Sequence, residues 1–151
     1  MKLPPEIRNH IYDLVVSQEG RIHLYPGWEM DRTIGNKPIM ALLRTCRQVR
    51  NEASEMFYNL NTFAFDYLFQ IRMFTRTLPV SHFESVRSIS LQPGSVLTLI
   101  SDFSAVHSLR VLPSLEEVRI RGHMDKINEE FLMSMPLRAD GTRVEIIFDR
   151  R

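Results

Sequence analysis

The chain has 151 residues, 44% hydrophobic and 25% charged, which bounds it to one ordinary globular domain able to bury roughly two thirds of its unfolded surface. Its 19 basic and 18 acidic side chains divide evenly, 9 and 8 in residues 1–75 and 10 and 10 in residues 76–151, so no long-range field steers nucleic acid or an acidic membrane toward it. One cysteine excludes an internal disulfide and a multi-cysteine zinc site, and no apolar run reaches the roughly 18 residues of a membrane span. With no charged-then-apolar leader at the start, the expectation is an intracellular protein, cytoplasmic or nuclear.

Residues 3–16 read as a short helix entered through Pro4 and Pro5, with Glu6 favouring the positive end of the dipole. Leu3, Ile7, Ile11, Leu14 and Val15 form its apolar stripe. Such a stripe is expected to face the core; the alternative is a face that packs on another protein. Residues 17–38 hold Gly20, Pro26, Gly27, Gly35 and Pro38 and read as an irregular connection. Within it, residues 21–25 alternate weakly as a strand with Ile22 and Leu24 on one face, and Trp28 reads as a plug at the edge of the core.

The stretch 42–65 organises the chain. Leu42, Cys46, Val49, Ala53, Met56 and Phe57 place one apolar face along a long helix, opposite Arg44, Arg47, Arg50, Glu52 and Glu55. The period changes at 59–61, and Phe63 and Phe65 then alternate with Thr62, Ala64 and Asp66 as a strand. Cys46 is expected to be buried and inert, since Arg47 diverges from it by about 100° on a helix.

From there the chain repeats. An apolar-x-x-apolar-x-apolar pattern occurs at Leu60, Phe63, Phe65, at Val86, Ile89, Leu91, and at Leu115, Val118, Ile120, with offsets of 26 and 29 residues. A fourth strand at 144–148 follows 28 residues later when Ile146 is matched to Val118. Helical segments lie between at 67–78, 95–112 and 127–135, each closed by Pro79, Pro113 or Pro136. Leu68, Ile71, Phe74 and Leu78 line one side of the first, and Ile127, Phe131, Leu132 and Met135 one side of the last. The expected fold is α/β: a short, mainly parallel sheet of strand–helix repeats, similar to leucine-rich repeats, capped by the N-terminal helices. One domain spans 1–151, a helical part over 1–58 and a repeat part over 59–151.

Three words in order carry a resemblance to a known family: Leu3-Pro4-Pro5-Glu6-Ile7-Arg8-Asn9-His10-Ile11-Tyr12, then Leu42-Leu43-Arg44-Thr45-Cys46-Arg47-Gln48-Val49-Arg50-Asn51-Glu52-Ala53, then Phe57-Tyr58 with Asn61-Thr62-Phe63. They resemble the fungal F-box-like domain, and the related fungal two-EXR domain, whose first signature stands at Glu6-Ile7-Arg8. The resemblance implies that the Leu-Pro helix packs on a Skp-type adaptor of a cullin ubiquitin ligase through Leu3, Pro4, Ile7, Ile11 and Leu14. It also implies that the residues after Asn59 read the substrate. The alternative is a self-contained fungal regulatory or host-directed domain that buries this helix as its own cap.

Nothing in the motifs points to catalysis or a cofactor. The five histidines lack metal-ligand spacing, there is no glycine-rich phosphate loop or serine elbow, and the pairs Glu116-Glu117 and Glu129-Glu130 diverge from each other. The expectation is a non-enzymatic module that binds protein. On the strands the residues between core positions share a face: Ser88 and Ser90, Glu117, Arg119 and Arg121, and Glu145 form a candidate partner-binding row, with Thr62, Ala64, Asp66, Gln92 and Asp149 beside them. The alternative for this row is internal pairing, for example Arg119 with Glu145. Arginines 44, 47 and 50 offer phosphate contacts, against which salt bridges to Glu52 and Glu55 are expected. Oligomeric state is left open by an uncapped last strand near Val144.

Overall fold

The computed structural model describes residues 3–18, 21–23, 38–92, 94, 107, 109–134, 138 and 140–149, apart from the side chains of 38–40, 68 and 127. The expected strand 24–25, Trp28, Met135 and most of the helix 95–112 lie outside the described residues; within that helix His107, Leu109 and Arg110 are helical.

Helix α1 (Pro5–Val16) leads to β1 (Arg21–His23); α2 (Pro38–Leu43) and α3 (Arg47–Leu60) precede β2 (Thr62–Phe65). Helix α4 (Leu68–Thr77) and a 3₁₀ helix (Val80–Ser85) lead to β3 (Ser88–Leu91). After β4 (Glu117–Arg121) come α5 (Lys126–Ser134) and β5 (Glu145–Asp149). The five strands lie in chain order and every neighbouring pair is parallel. In a sheet of this order right-handed crossovers place the connecting helices on one side, and the strand residues between the core positions lie on the other, open face.

Register follows the repeat residue by residue. Phe63 pairs with Ile89, Ile89 with Val118 and Val118 with Ile146, so the offsets of 26, 29 and 28 are those expected. Phe63, Phe65, Ile89, Leu91, Val118 and Ile120 point to the helices and are fully buried there with Phe57, Ile71, Phe74, Leu109 and Leu132. Phe74 sits between Phe63 and Phe65, ring centroids 5.2 and 5.5 Å away, and Phe57 meets Phe63 edge-on at 5.6 Å. Each such pair adds about 0.5–1.5 kcal/mol to simple burial.

Three expectations change. The long helix is two: a turn at Arg44 and Thr45 separates α2 from α3, with Thr45 Oγ1 donating to the Leu42 carbonyl at 2.7 Å. Cys46 becomes the extended N-cap of α3 and is exposed, not buried, because the break turns it out of the apolar face. On α5 Leu132 is buried but Phe131 is exposed, so only part of the expected stripe is core.

Asn61 ties the helices to the sheet. Its Nδ2 donates to the carbonyls of Val16 (2.9 Å) and Phe57 (2.8 Å), near the ends of α1 and α3, and its Oδ1 accepts the Gln18 amide at 2.9 Å. At the start of α4 the buried Gln70 does a similar task, its Oε1 accepting the amides of Asp66 (2.6 Å) and Tyr67 (2.8 Å).

Candidate functional site

Two surfaces stand out, the outer face of α1 and the open face of the sheet. Helix α1 docks on α3 through Arg8, Tyr12 and Val16, spaced i, i+4, i+8; Tyr12 and Val16 are buried. Glu52 of α3 receives Arg8 Nε at 3.1 Å, Arg8 Nη2 at 3.0 Å, Tyr12 Oη at 3.0 Å and Gln48 Nε2 at 2.9 Å. These bonds, Arg8's foremost, hold the Glu52 carboxyl down to about 2 from 4.5. Burial first, and then Glu52, pushes the Tyr12 phenol up.

That docking face lies about 140° around the helix from the apolar stripe. Leu3 is 47% exposed, Ile7 48%, Ile11 39% and Leu14 70%, and Pro4 is exposed beside them. The core-facing expectation therefore fails for Leu3, Ile7, Ile11 and Leu14, while Val15 is half-buried and the helix enters the core through Tyr12 and Val16 instead. The Arg8–Tyr12–Val16 line rather than the stripe anchors α1, by hydrogen bonds to Glu52 and by burial of Tyr12 and Val16, and four large apolar side chains are left on one solvent face. Glu6 and Asp13 flank them, both exposed.

Glu52 is also not the partner expected for the arginines of α3. It is spent on α1, while Arg50 Nε donates to the Leu43 carbonyl at 3.0 Å across the helix break.

On the open sheet face the expected row is present but internally wired. Ser88 Oγ donates to Glu117 Oε1 at 2.8 Å, so Thr62 Oγ1, 2.9 Å from it, must be the donor in that pair. Arg119 pairs with Glu117 through two bonds, one of them 3.1 Å, and with this partner foremost the Glu117 carboxyl is lowered. The expected Arg119–Glu145 pair does not form: Glu145 is in register with Glu117, while Arg119 stands beside Ile147. Arg121 reaches over β3 to Asp66 Oδ1 (2.6 Å), which also accepts Gln92 Nε2 at 2.9 Å. Glu145 is exposed, whereas Ser90, expected on the surface of the same row, is fully buried.

Arg21, which the sequence reading left out of the row, closes this face. It forms an ion pair with Asp149, joining β1 to β5 at opposite edges of the sheet. Flat, those strands would stand about 19 Å apart, beyond what an arginine and an aspartate span together, so the sheet curls and the open face is concave. Burial, with Arg121 and Arg119 close by, lowers the Arg21 pKa below its ordinary value. Two hollows result. One of about 560 Å³ is bounded by Arg21, Arg119, Arg121, Gly122 and Asp149; another of about 490 Å³ shares Arg21 and Arg119 and extends to Gln18, His23, Leu60 and Thr62. The signal for Arg21 was present: placing Ile22 inward puts Arg21 and His23 on the open face.

Residues 27–94 match a family model described as a domain of unknown function (DUF7730). The DUF7730 match covers less than half of the chain, from the connection after β1 through α2, α3, β2 and α4 to just past β3; it includes Asn61 and leaves out α1, β4 and β5. No curated protein and no solved structure matches the chain. Among the described residues no helix is long and apolar enough to cross a membrane.

Proposed function

We propose that this protein is a non-enzymatic, intracellular interaction module of F-box-like type, in which α1 docks on an adaptor protein and the concave sheet face meets a second protein. The observation that carries the reading is the exposure of Leu3, Ile7, Ile11 and Leu14 on a helix already anchored by its opposite face. A helix laid into an apolar groove is read through i, i+4, i+7 anchors, which is the spacing of Ile7, Ile11 and Leu14. Scattered exposed apolar residues need no explanation, but a continuous stripe is a binding feature. The flanking Glu6 and Asp13 argue for a protein groove over an anionic membrane, whose surface helices carry lysine and arginine instead. The resemblance of the three sequence words to F-box-like domains supports a Skp-type adaptor as the occupant, in a ubiquitin ligase of fungal type, with no cofactor required.

The test is titration of purified Skp-type adaptor against the wild type and the Ile7→Asp, Ile11→Asp double variant. Both positions are exposed, so the variant should keep its stability within about 1 kcal/mol and lose binding at least tenfold. A folded variant that binds as well as the wild type, or a wild type that does not bind, defeats the adaptor assignment.

A further inference from the structure

Three arginines meet on the concave face, each paired with a carboxylate of this chain: Arg21 with Asp149, Arg119 with Glu117 and Arg121 with Asp66. Arg21 arrives from β1, and Arg119 and Arg121 from β4, and the three border one hollow. On the same face, in register with Arg119, Ser90 is fully buried and its Oγ has no hydrogen-bond partner. The position beside it on β2 is Ala64, equally buried. A hydroxyl at such a place is destabilising relative to alanine unless something uses it. Arg121 Nε is also buried and without an acceptor. Ser90 is in register with Arg119, so Arg121 is its diagonal neighbour on the adjacent strand. Both unspent atoms can donate, and what both lack is an acceptor.

We propose that this point receives the carboxylate of an acidic segment of a protein partner, held by Arg21, Arg119 and Arg121 above Ser90, and that Asp149 occupies the Arg21 guanidinium until the partner displaces it. The guanidinium fork matches a planar carboxylate, and the ligand would be acceptor-only, as the unspent donors require. The displaced Asp149 stays at the rim of the hollow with its charge, so a ligand bringing one negative charge is opposed less than a dianion. Arg21 and Arg119 stand between the two hollows, so releasing Arg21 from Asp149 joins them into a trough along which a peptide can lie. This rests on the sheet face being a partner surface, and its outcome is independent of adaptor docking on α1, which the Ile7 and Ile11 variant reads separately.

The experiment is fluorescence anisotropy with a labelled hexaglutamate peptide, using hexaglutamine and hexalysine of the same length as controls. Hexaglutamate should bind the full chain at least tenfold more tightly than either control and weaken as salt rises. Asp149→Asn, which removes the internal competitor, should tighten it at least threefold. Arg21→Gln should weaken it about tenfold and Ser90→Ala about threefold, the latter with a thermal midpoint equal to or above that of the wild type. Asp149→Asn and Ser90→Ala preserve the fold and keep the test decisive if an arginine variant does not fold. Hexaglutamate binding no better than hexaglutamine, or left unchanged by Asp149→Asn, overturns the proposal.

Discussion

Replacing Asn61 by leucine tests whether the helical part and the sheet are joined by hydrogen bonds or by packing alone. Leucine has nearly the shape of asparagine, and the extended backbone at this position (φ −114°, ψ 148°) accepts it without strain. The side chain is 2% exposed, so the carbonyls of Val16 and Phe57 and the amide of Gln18 lose their partner together. Three such losses at about 1–2 kcal/mol each, less about 1 kcal/mol for added apolar burial, leave about 3 kcal/mol of destabilisation. For a chain of this size that lowers the thermal midpoint by about 6–12 °C. Urea unfolding gives the free energy, and hydrogen exchange at the Gln18 amide gives the local effect, which should be a loss of protection out of proportion to the global change. A cost below about 1 kcal/mol with Gln18 still protected would show that packing joins the two parts and that the bonds are incidental.

Glu52→Gln probes the docking of α1. The Glu52 carboxyl is depressed in the folded state, to about 2 from 4.5, so its ionised form favours folding above pH 4.5 and that contribution is lost as pH falls toward 2. The stability gap between wild type and variant, followed by urea midpoint, should be widest above pH 4.5 and close toward pH 2; a constant gap would contradict the assignment. Phe63→Ala empties the centre of the aromatic cluster and should cost about 3–5 kcal/mol by chemical denaturation. Gly122 has φ of 97° and donates to the Asp149 carbonyl at 2.9 Å, so Gly122→Ala should cost about 1–2 kcal/mol in the same assay.

The strands were legible because their information is local and periodic. Strands β2, β3 and β4 each carry two inward apolar residues separated by one outward residue, preceded by a third at fixed distance, and matching those triplets sets register without knowledge of what lies between. The same alternation located Ser88, Glu117, Arg119 and Arg121 on one face. What the alternation lacks is curvature. Only when the sheet curls do Arg21 and Asp149, 128 residues apart, meet and bury the middle of the row, so Ser90 read as exposed. The break before α3 was hidden for another reason. No glycine or proline marks it, and Thr45 and Arg50 secure it by bonds to backbone carbonyls that a helical wheel does not register.

Helix α1 shows where periodicity misleads in a way that bears on function. A stripe of Leu3, Ile7, Ile11 and Leu14 outranks a line of Arg8, Tyr12 and Val16 on any hydrophobicity scale, yet the second line faces the protein and the first faces solvent. The inversion needs Glu52, 44 residues from Arg8, to supply the acceptor that makes an arginine acceptable at a helix contact. Once Glu52 is placed, the line of Arg8, Tyr12 and Val16 can anchor the helix and the apolar stripe can turn toward solvent. For the docking proposed above, a helix already fixed to α3 is pre-organised, since neither its conformation nor its position need be ordered on binding. Under the proposed docking, loss of Glu52 should lower partner affinity as well as stability, whereas loss of Ile7 and Ile11 should lower affinity alone.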